Sequence, residues 1–358
     1  MNYAIDADIT RAATLDARFY ADTSAWEACR SRIFARSWQW LGDTHDVREP
    51  ESLSPRDLLP GFVDEPLLLS RDKSGELRCL SNVCTHRGNI LVKSACRSAE
   101  IRCGYHSRRF ALDGRMTFMP EFAAAKDFPR AADDLASPAF AEWRGQAFAN
   151  LDRDALLPPV FAAIDAQLGS LPVADFLPDP ASSQDFEVAA HWALYVENYL
   201  EGFHIPYVHG GLNAVIDYGS YRTECMPGAV LQIGHARTGE PAFDRADEGK
   251  PVAALYWWLF PNLMLNFYPW GLSVNRVVPL ALTRTRVEFR SYVWKPELRT
   301  RGAGSGLDRV ESEDEAVVEA VQRGVRSRLY PGGRYSPTRE SGVHHFHRLL
   351  VAALGEHA

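Results

Sequence analysis

Four residues constrain this chain more than any others: Cys84 with His86, and Cys103 with His106. They form C-x-H and C-x-x-H, separated by 16 residues. Two thiolates and two imidazoles suit tetrahedral zinc or a two-iron cluster in which imidazoles replace the thiolates on one iron. Zinc sites more often group like with like, as paired cysteines and then paired histidines. Here each loop brings one Cys and one His, so two loops can divide their donors by softness between two irons. The iron–sulfur reading is favoured, and structural zinc stays as its rival. Six cysteines in 358 residues are too sparse for a disulfide framework. Cys29, Cys79, Cys96 and Cys225 read as ordinary buried or surface thiols.

A second constellation lies in ENYLEGFHIPYVH, where His204 and His209 are five apart. On an unbroken helix five residues turn about 500°, which leaves the rings about 140° apart. Pro206 removes a helix hydrogen bond, so the helix is expected to stop near it and His209 to swing back beside His204. Glu201, three residues before His204, and Glu197 a turn earlier are expected on the same helical face. Two imidazoles plus one carboxylate make the facial triad of non-haem Fe(II) oxygenases. Asp314, in ESEDEAVVEAVQ, is expected in the first turn of the last helix. Its competitors are Asp308, Glu311, Glu313, Glu315 and Glu319, most of which read as a solvated acidic helix start.

Around these sites the chain changes character. Residues 20–40 suggest a helix leading into a strand, with Trp26, Ile33 and Phe34 at roughly helical spacing. From 38 to 153 short β-prone runs alternate with turns, which predicts a small all-β module. Residues 154–180 are a Pro-rich connection with one short helix. Longer strands then follow the ENYLEGFH helix. The last clear helix runs through EDEAVVEAVQRGVRSRL, with Val317, Val321, Val325 and Leu329 on one face and Ser312/Glu315 at capping-box spacing. The second domain is therefore α+β, an antiparallel sheet with helices on it. A net charge of −7 without basic runs gives no footprint for nucleic acid. The most apolar stretch, Leu255 to Leu272, is broken by Pro261, Asn262, Asn266 and Pro269, short of the ~20 apolar residues a membrane helix needs. No secretory signal is apparent at the start, which points to the cytoplasm and reduced thiols.

CTHRGN at 84–89 and CGYHSRRF at 103–110 resemble the Rieske [2Fe–2S] domain. Asn89 and Tyr105 stand where respiratory members carry two further cysteines, so the likeness is to the lower-potential kind found in oxygenases and ferredoxins. One departure is Ser107, where many relatives have Gly. Both constellations together resemble the α subunit of Rieske non-haem iron oxygenases (ring-hydroxylating oxygenases) over nearly the whole chain. The resemblance implies a Rieske domain at 38–153 and, from 1–37 and 154–358, a helix-grip (START/Bet v 1-like) catalytic domain with an antiparallel sheet. It implies that Cys84, His86, Cys103 and His106 hold the cluster, and that His204, His209 and Asp314 hold mononuclear Fe(II). Glu201 matches the carboxylate that links an iron ligand to a cluster histidine of a neighbouring subunit, and Asn198 a polar residue near the iron.

The same resemblance implies a homotrimer fed by a separate NAD(P)H-dependent reductase, with or without a ferredoxin. No G-x-G-x-x-G fingerprint is present for the chain to take a hydride itself. The expected reaction uses O2 to hydroxylate, dihydroxylate or N-demethylate a small organic molecule, either an aromatic ring, as in aromatic hydrocarbon catabolism, or a quaternary ammonium. YWWLFPNLMLNFYPW reads mainly as strands packing a core, and its wording is similar to the choline- and betaine-oxidising branch. HHFH (His344, His345, His347) reads as core-facing or cationic imidazoles at a helix end rather than a third metal site. The rivals are a Rieske electron carrier without oxygenase activity, and a helix-grip binding protein with structural zinc.

Overall fold

The β-prone runs between Gln39 and Asn150 pair as three small antiparallel sheets in a computed structural model that describes residues 3–355. Residues 1–2 and 356–358, the outermost positions expected in the catalytic domain, lie outside the described residues. The chain divides into two compact units, Phe34–Leu157 and a second made of Met1–Ile33 with Pro158–Ala358.

In the smaller unit, Gln39–Asp43, Gln146–Asn150 and Ala139–Trp143 form one sheet. Leu77–Ser81, Glu65–Arg71, Ser52–Leu58 and Cys96–Arg97 form another. A short third sheet joins Ile101–Arg102, Arg109–Phe110 and Met116–Phe118. The Cys103–Arg108 loop is thus the tip of a hairpin, and the Cys84–Asn89 loop leaves the Leu77–Ser81 strand. Leu53, Leu68, Leu80, Ile101 and Phe110 are buried beneath both loops in one core with Cys84 and Cys103.

The larger unit is built on a nine-stranded antiparallel sheet, its main path running Leu177–Pro178, Arg284–Val293, Gly271–Ala281, Leu263–Tyr268, Lys250–Leu259, Ala229–His235 and Arg222–Met226. The central strands are buried on both faces: every residue of Ala229–His235 and Leu263–Tyr268 is buried. That explains why their sequences read as continuous apolar runs rather than alternating ones. Trp192, Trp258 and Phe346 meet edge-to-face in the core, each burial stabilising the fold by on the order of 2–3 kcal/mol. The α+β helix-grip expectation holds, with helices Trp192–Tyr199, Leu307–Gly324 and Ser341–Gly355 set against this sheet.

Several local expectations need correction. The Trp192 helix stops at Tyr199, not near Pro206. Pro206 instead lies in the first turn of a second helix, Ile205–Val208, where a missing N–H costs nothing. The break precedes Gly202, whose Cα is so close to the Tyr221 ring that a Cβ would lie 2.6 Å from it. Glu197 leaves the expected face and serves the core, accepting from Tyr20 (2.7 Å) and meeting His347 Nε2 (3.1 Å). The Leu307–Gly324 helix begins seven residues before Asp314, and its N-cap is Gly306 in the left-handed region. The Ser312 hydroxyl donates to the Asp308 carbonyl, so no capping box forms.

The buried stripe of this helix is not the valine row, since Val321 and Leu329 are exposed. It is Glu311, Val318 and Gln322, with polar members used as fasteners. Glu319 accepts from the Ala189 backbone N–H (2.9 Å) and Gln322 from that of His191 (2.7 Å). A further helix, Ser341–Gly355, carries HHFH in its first two turns. His344 and His347 are buried and face the core, as one of the two readings had it. The expected helix within residues 20–40 is broken into short turns, with Thr23–Ala28 its one α-helical piece.

Candidate functional site

The cluster loops are two copies of one turn. In the first, the Cys84 N–H donates to the Asn89 carbonyl (2.8 Å) and the Gly88 N–H to the Cys84 carbonyl (3.0 Å). In the second, the Cys103 N–H donates to the Arg108 carbonyl (2.8 Å) and the Ser107 N–H to the Cys103 carbonyl (3.1 Å). The fourth residue after each cysteine must be left-handed: Gly88 has φ +69° and Ser107 φ +60°. Ser107 therefore makes the same turn as its glycine counterpart, with its Cβ in a region side chains rarely adopt.

Each loop buries its thiol and turns its imidazole outward. Cys84 and Cys103 are buried, whereas His86 is half-buried and His106 exposed, their rings 4.8 Å apart edge-to-face. Burial pushes the Cys84 thiol up. Burial also opposes ionisation of Cys103, but the backbone N–H groups of Tyr105 and His106 outweigh it and hold that thiol below its usual value. Burial and the neighbouring His106 and Arg108 lower His86, keeping a lone pair free. Sulfurs inside and ring nitrogens outside are the division by type that a mixed two-iron group needs.

The loops share one strut. The Asp133 carbonyl accepts from Thr85 Oγ1 (2.7 Å) and from Arg108 Nη2 (3.2 Å). Its carboxylate pairs with the same buried guanidinium at 2.7 Å. Thr85 sits between the two donors of one loop and Arg108 follows those of the other, so Asp133 fixes both. No sequence pattern singled it out.

In the larger unit, His204 and His209 flank the four-residue helix Ile205–Val208, which turns both rings to one point. His204 Nε2 lies 3.1 Å from His209 Nε2. Asp314 Oδ1, from the facing helix, is 3.0 Å from His209 Nε2 and 3.5 Å from His204 Nε2. The other ring nitrogens are engaged. His204 Nδ1–H donates to Glu201 Oε1 (2.7 Å), while Glu201 Oε2 accepts the His204 backbone N–H (3.0 Å). His209 Nδ1–H donates to Glu313 Oε2 (2.8 Å), and Arg309 holds that carboxylate in turn (2.9 Å). Glu201 thus reaches His204 through a turn, not along a helical face.

With the protons placed on both Nδ1 atoms, three lone-pair donors converge; against its burial, the carboxylates of Asp314 and Glu313 raise His209 above its usual value, so the set favours a positive charge. Such a set is repulsive unless a cation sits among its members. Donors bound to one ion at about 2.1 Å are about 3.0 Å apart on adjacent octahedral corners and about 3.4 Å apart on tetrahedral ones, and the observed separations of 3.0, 3.1 and 3.5 Å are close to that range. Among the described residues, this is the group of His, Cys, Asp or Glu whose ligand atoms gather within 4.8 Å. The residue overlooked in the sequence was Glu313, which read as solvated; its partner is 104 positions away, and only its place next to Asp314 could have hinted at the contact.

A cavity of about 100 Å³ opens beside these donors. Asn198 lines it, as do Tyr199, Tyr221, Tyr256 and Tyr268, and no Lys or Arg does. The Tyr256 ring lies 5.9 Å from that of Tyr268 and 6.4 Å from that of Tyr221. Glu311 is buried in the same wall, where Tyr195 donates to Oε2 (2.7 Å). Burial pushes its carboxyl up to about 8, with help from Asp314 and Glu315 and against the Tyr195 hydrogen bond.

The Rieske [2Fe-2S] domain family matches residues 37–129, and the family described as ring hydroxylating alpha subunit (catalytic domain) matches 179–356. A choline monooxygenase of Beta vulgaris is 29% identical over 353 residues, spanning 96% of this chain and 77% of its own. The carnitine monooxygenase oxygenase subunit of Escherichia coli is also 29% identical, over 94% of this chain and 93% of its own. In fold, the chain is similar to a quaternary ammonium Rieske monooxygenase, with a TM-score of 0.79 at 24% identity, covering 98% and 100% of the two chains. Naphthalene 1,2-dioxygenase from Rhodococcus superposes with a TM-score of 0.69 at 18% identity, over 96% of this chain and 95% of its own. The chain belongs to the Rieske non-haem iron oxygenase α-subunit family, as a terminal oxygenase with a Rieske [2Fe–2S] cluster and a mononuclear iron.

Proposed function

We propose that this oxygenase acts on a quaternary ammonium compound, with Cys84, His86, Cys103 and His106 holding the cluster and His204, His209 and Asp314 the iron. The observation that carries the reading is the His204–His209–Asp314 triad opening onto a tyrosine-lined cavity. When bound, the cluster passes single electrons and the iron activates O2. The protein's own part is orientation. Glu201 and Glu313 fix the tautomer of each imidazole so that both Nε2 lone pairs face inward. The tyrosine faces attract an alkylammonium head by cation–π interaction, worth ~2 kcal/mol or more when desolvated, and exclude water around the C–H bond to be hydroxylated. Asn198 offers an amide at the rim of the donor set.

Aromatic hydrocarbon catabolism fits less well, because a hydrocarbon gains nothing from Glu311 or from the amides of Asn266 and Asn275 in the wall. Electrons come from a separate NAD(P)H-dependent reductase, with or without a ferredoxin. We assign the chain to a homotrimer, following the inter-subunit electron transfer reported for the carnitine-oxidising relative. A carboxylate accepts up to about four hydrogen bonds, so Glu201 keeps capacity to meet a neighbouring subunit's cluster histidine. Six unpaired cysteines suit the reducing cytoplasm, and no helix among the described residues is long and apolar enough to cross a membrane.

The test is oxygen consumption by the reconstituted oxygenase and a reductase across a panel of choline, carnitine, betaine and naphthalene. Uptake coupled to a quaternary ammonium supports the reading; uptake coupled to naphthalene alone removes it.

A further inference from the structure

The charges lining the cavity are of one sign once the histidines are set aside. Glu201, Asp314 and Glu311 contribute carboxylates, and no Lys or Arg faces the space. Two of the three are already employed, Glu201 by His204 and Asp314 in the donor triad. Glu311 is not. It is 3% exposed, and its Oε2 is satisfied by the Tyr195 hydroxyl at 2.7 Å. Its Oε1 has no hydrogen-bond partner. A structural tie to Tyr195 needs only one oxygen, so the second is a buried oxygen of a cavity-lining side chain without a partner, an arrangement that is costly unless a ligand completes it.

One further wall group has the same polarity, while the Tyr256 hydroxyl and the Asn266 and Asn275 amides supply neutral donors. Gln232 donates its amide to the Tyr199 carbonyl (2.7 Å), which leaves its Oε1 as another buried acceptor without a partner. A cation beside Glu311 draws its carboxyl, which burial raises to about 8, into the ionised form, and the acceptors and tyrosine faces around it complete the complement of an organic cation. They are a poor environment for a second, negative end. The adjoining hollow shares Ser273, Phe289 and Leu307 with the cavity and contains Arg299. That guanidinium is paired with Asp179 and lies over the Trp270 ring, so it is not free to receive a carboxylate.

We propose that Glu311 is the counter-charge for the substrate's ammonium head, and that the substrate is a compact organic cation with no carboxylate of its own. Glu311 then determines specificity without being an iron ligand. An amino-alcohol-like cation fits, its neutral polar end facing Asn266, Asn275 or Ser273. A betaine or carnitine would have to bring its carboxylate close to Glu311, the cavity carboxylate that the iron's own charge does not balance. The inference rests on the quaternary-ammonium reading above and narrows it.

Binding is measured by calorimetry on the anaerobic iron-loaded protein, with choline, L-carnitine and the neutral isostere 3,3-dimethylbutan-1-ol as probes. In the wild type, choline is expected to bind roughly tenfold or more tightly than either other probe. In Glu311→Gln the amide oxygen still accepts from Tyr195, so the fold is kept. Choline affinity is expected to fall about 10- to 100-fold while that of the neutral isostere stays unchanged. Equal binding of carnitine and choline by the wild type overturns the proposal without any variant. So does a Glu311→Gln protein that keeps choline affinity. If the wild type binds none of the cations but does bind naphthalene, the quaternary-ammonium reading falls as well.

Discussion

Asp133→Asn should loosen both cluster loops at once, and the structure says by how much. Arg108 and Asp133 have side-chain exposures of 2% and 10% and meet at 2.7 Å. The guanidinium is otherwise surrounded by Phe110 and Phe128, whose ring centroids are 5.7 and 5.6 Å away. Removing one partner of a buried ion pair costs about 3–5 kcal/mol because the other charge stays buried. In Asp133→Asn the amide oxygen and the backbone carbonyl still accept from Arg108, which brings the expected loss to about 2–3 kcal/mol. With a urea slope of about 1.5 kcal/mol per molar, the midpoint should fall by about 1.3–2 M.

The assay is urea unfolding followed by the cluster's visible absorption, with tryptophan fluorescence in parallel. The shift should appear in the cluster signal first. The Arg108 ion pair and the Arg130 backbone N–H hold the Asp133 carboxyl below the usual range. A carboxyl depressed in the folded state stabilises fully above its unfolded value near ~4, and this contribution fades as pH falls through the folded value. The difference between wild type and variant should therefore be largest at neutral pH and close in acid. An unchanged cluster midpoint at pH 7 would refute the strut.

Glu201→Gln should retain both metals yet lower product formation in single turnover by about 100-fold; normal turnover removes its proposed relay role. Glu313→Ala should weaken iron binding about tenfold, read by competition with a chelator, because His209 loses the acceptor that fixes its tautomer. Ser107→Gly should stabilise the cluster unit by about 0.5–1 kcal/mol, since Ser107 occupies a left-handed conformation at φ +60°. A loss of stability there would show that the serine hydroxyl, which accepts from Arg102 at 3.0 Å, matters more than the backbone.

The metal chemistry was legible because ligands in short loops announce themselves by residue type and spacing. Their supports were not, because Asp133, Glu313 and Glu311 reach their partners across 25, 104 and 116 positions. Helix boundaries failed for a related reason. Val317, Val321, Val325 and Leu329 make a convincing apolar row, yet the helix turns Glu311, Val318 and Gln322 inward because specific hydrogen bonds await them. Pro206 was an obvious helix breaker, but the chain had already turned at Gly202 against Tyr221, a close approach that no local pattern encodes.

The central claim is that one chain carries two unlike iron centres, and the ratio of iron to acid-labile sulfide tests it most directly. The wild type should contain about three irons and about two sulfides, and Asp314→Ala about two of each. Zinc without sulfide, or an iron-to-sulfide ratio of one in both proteins, would contradict the account.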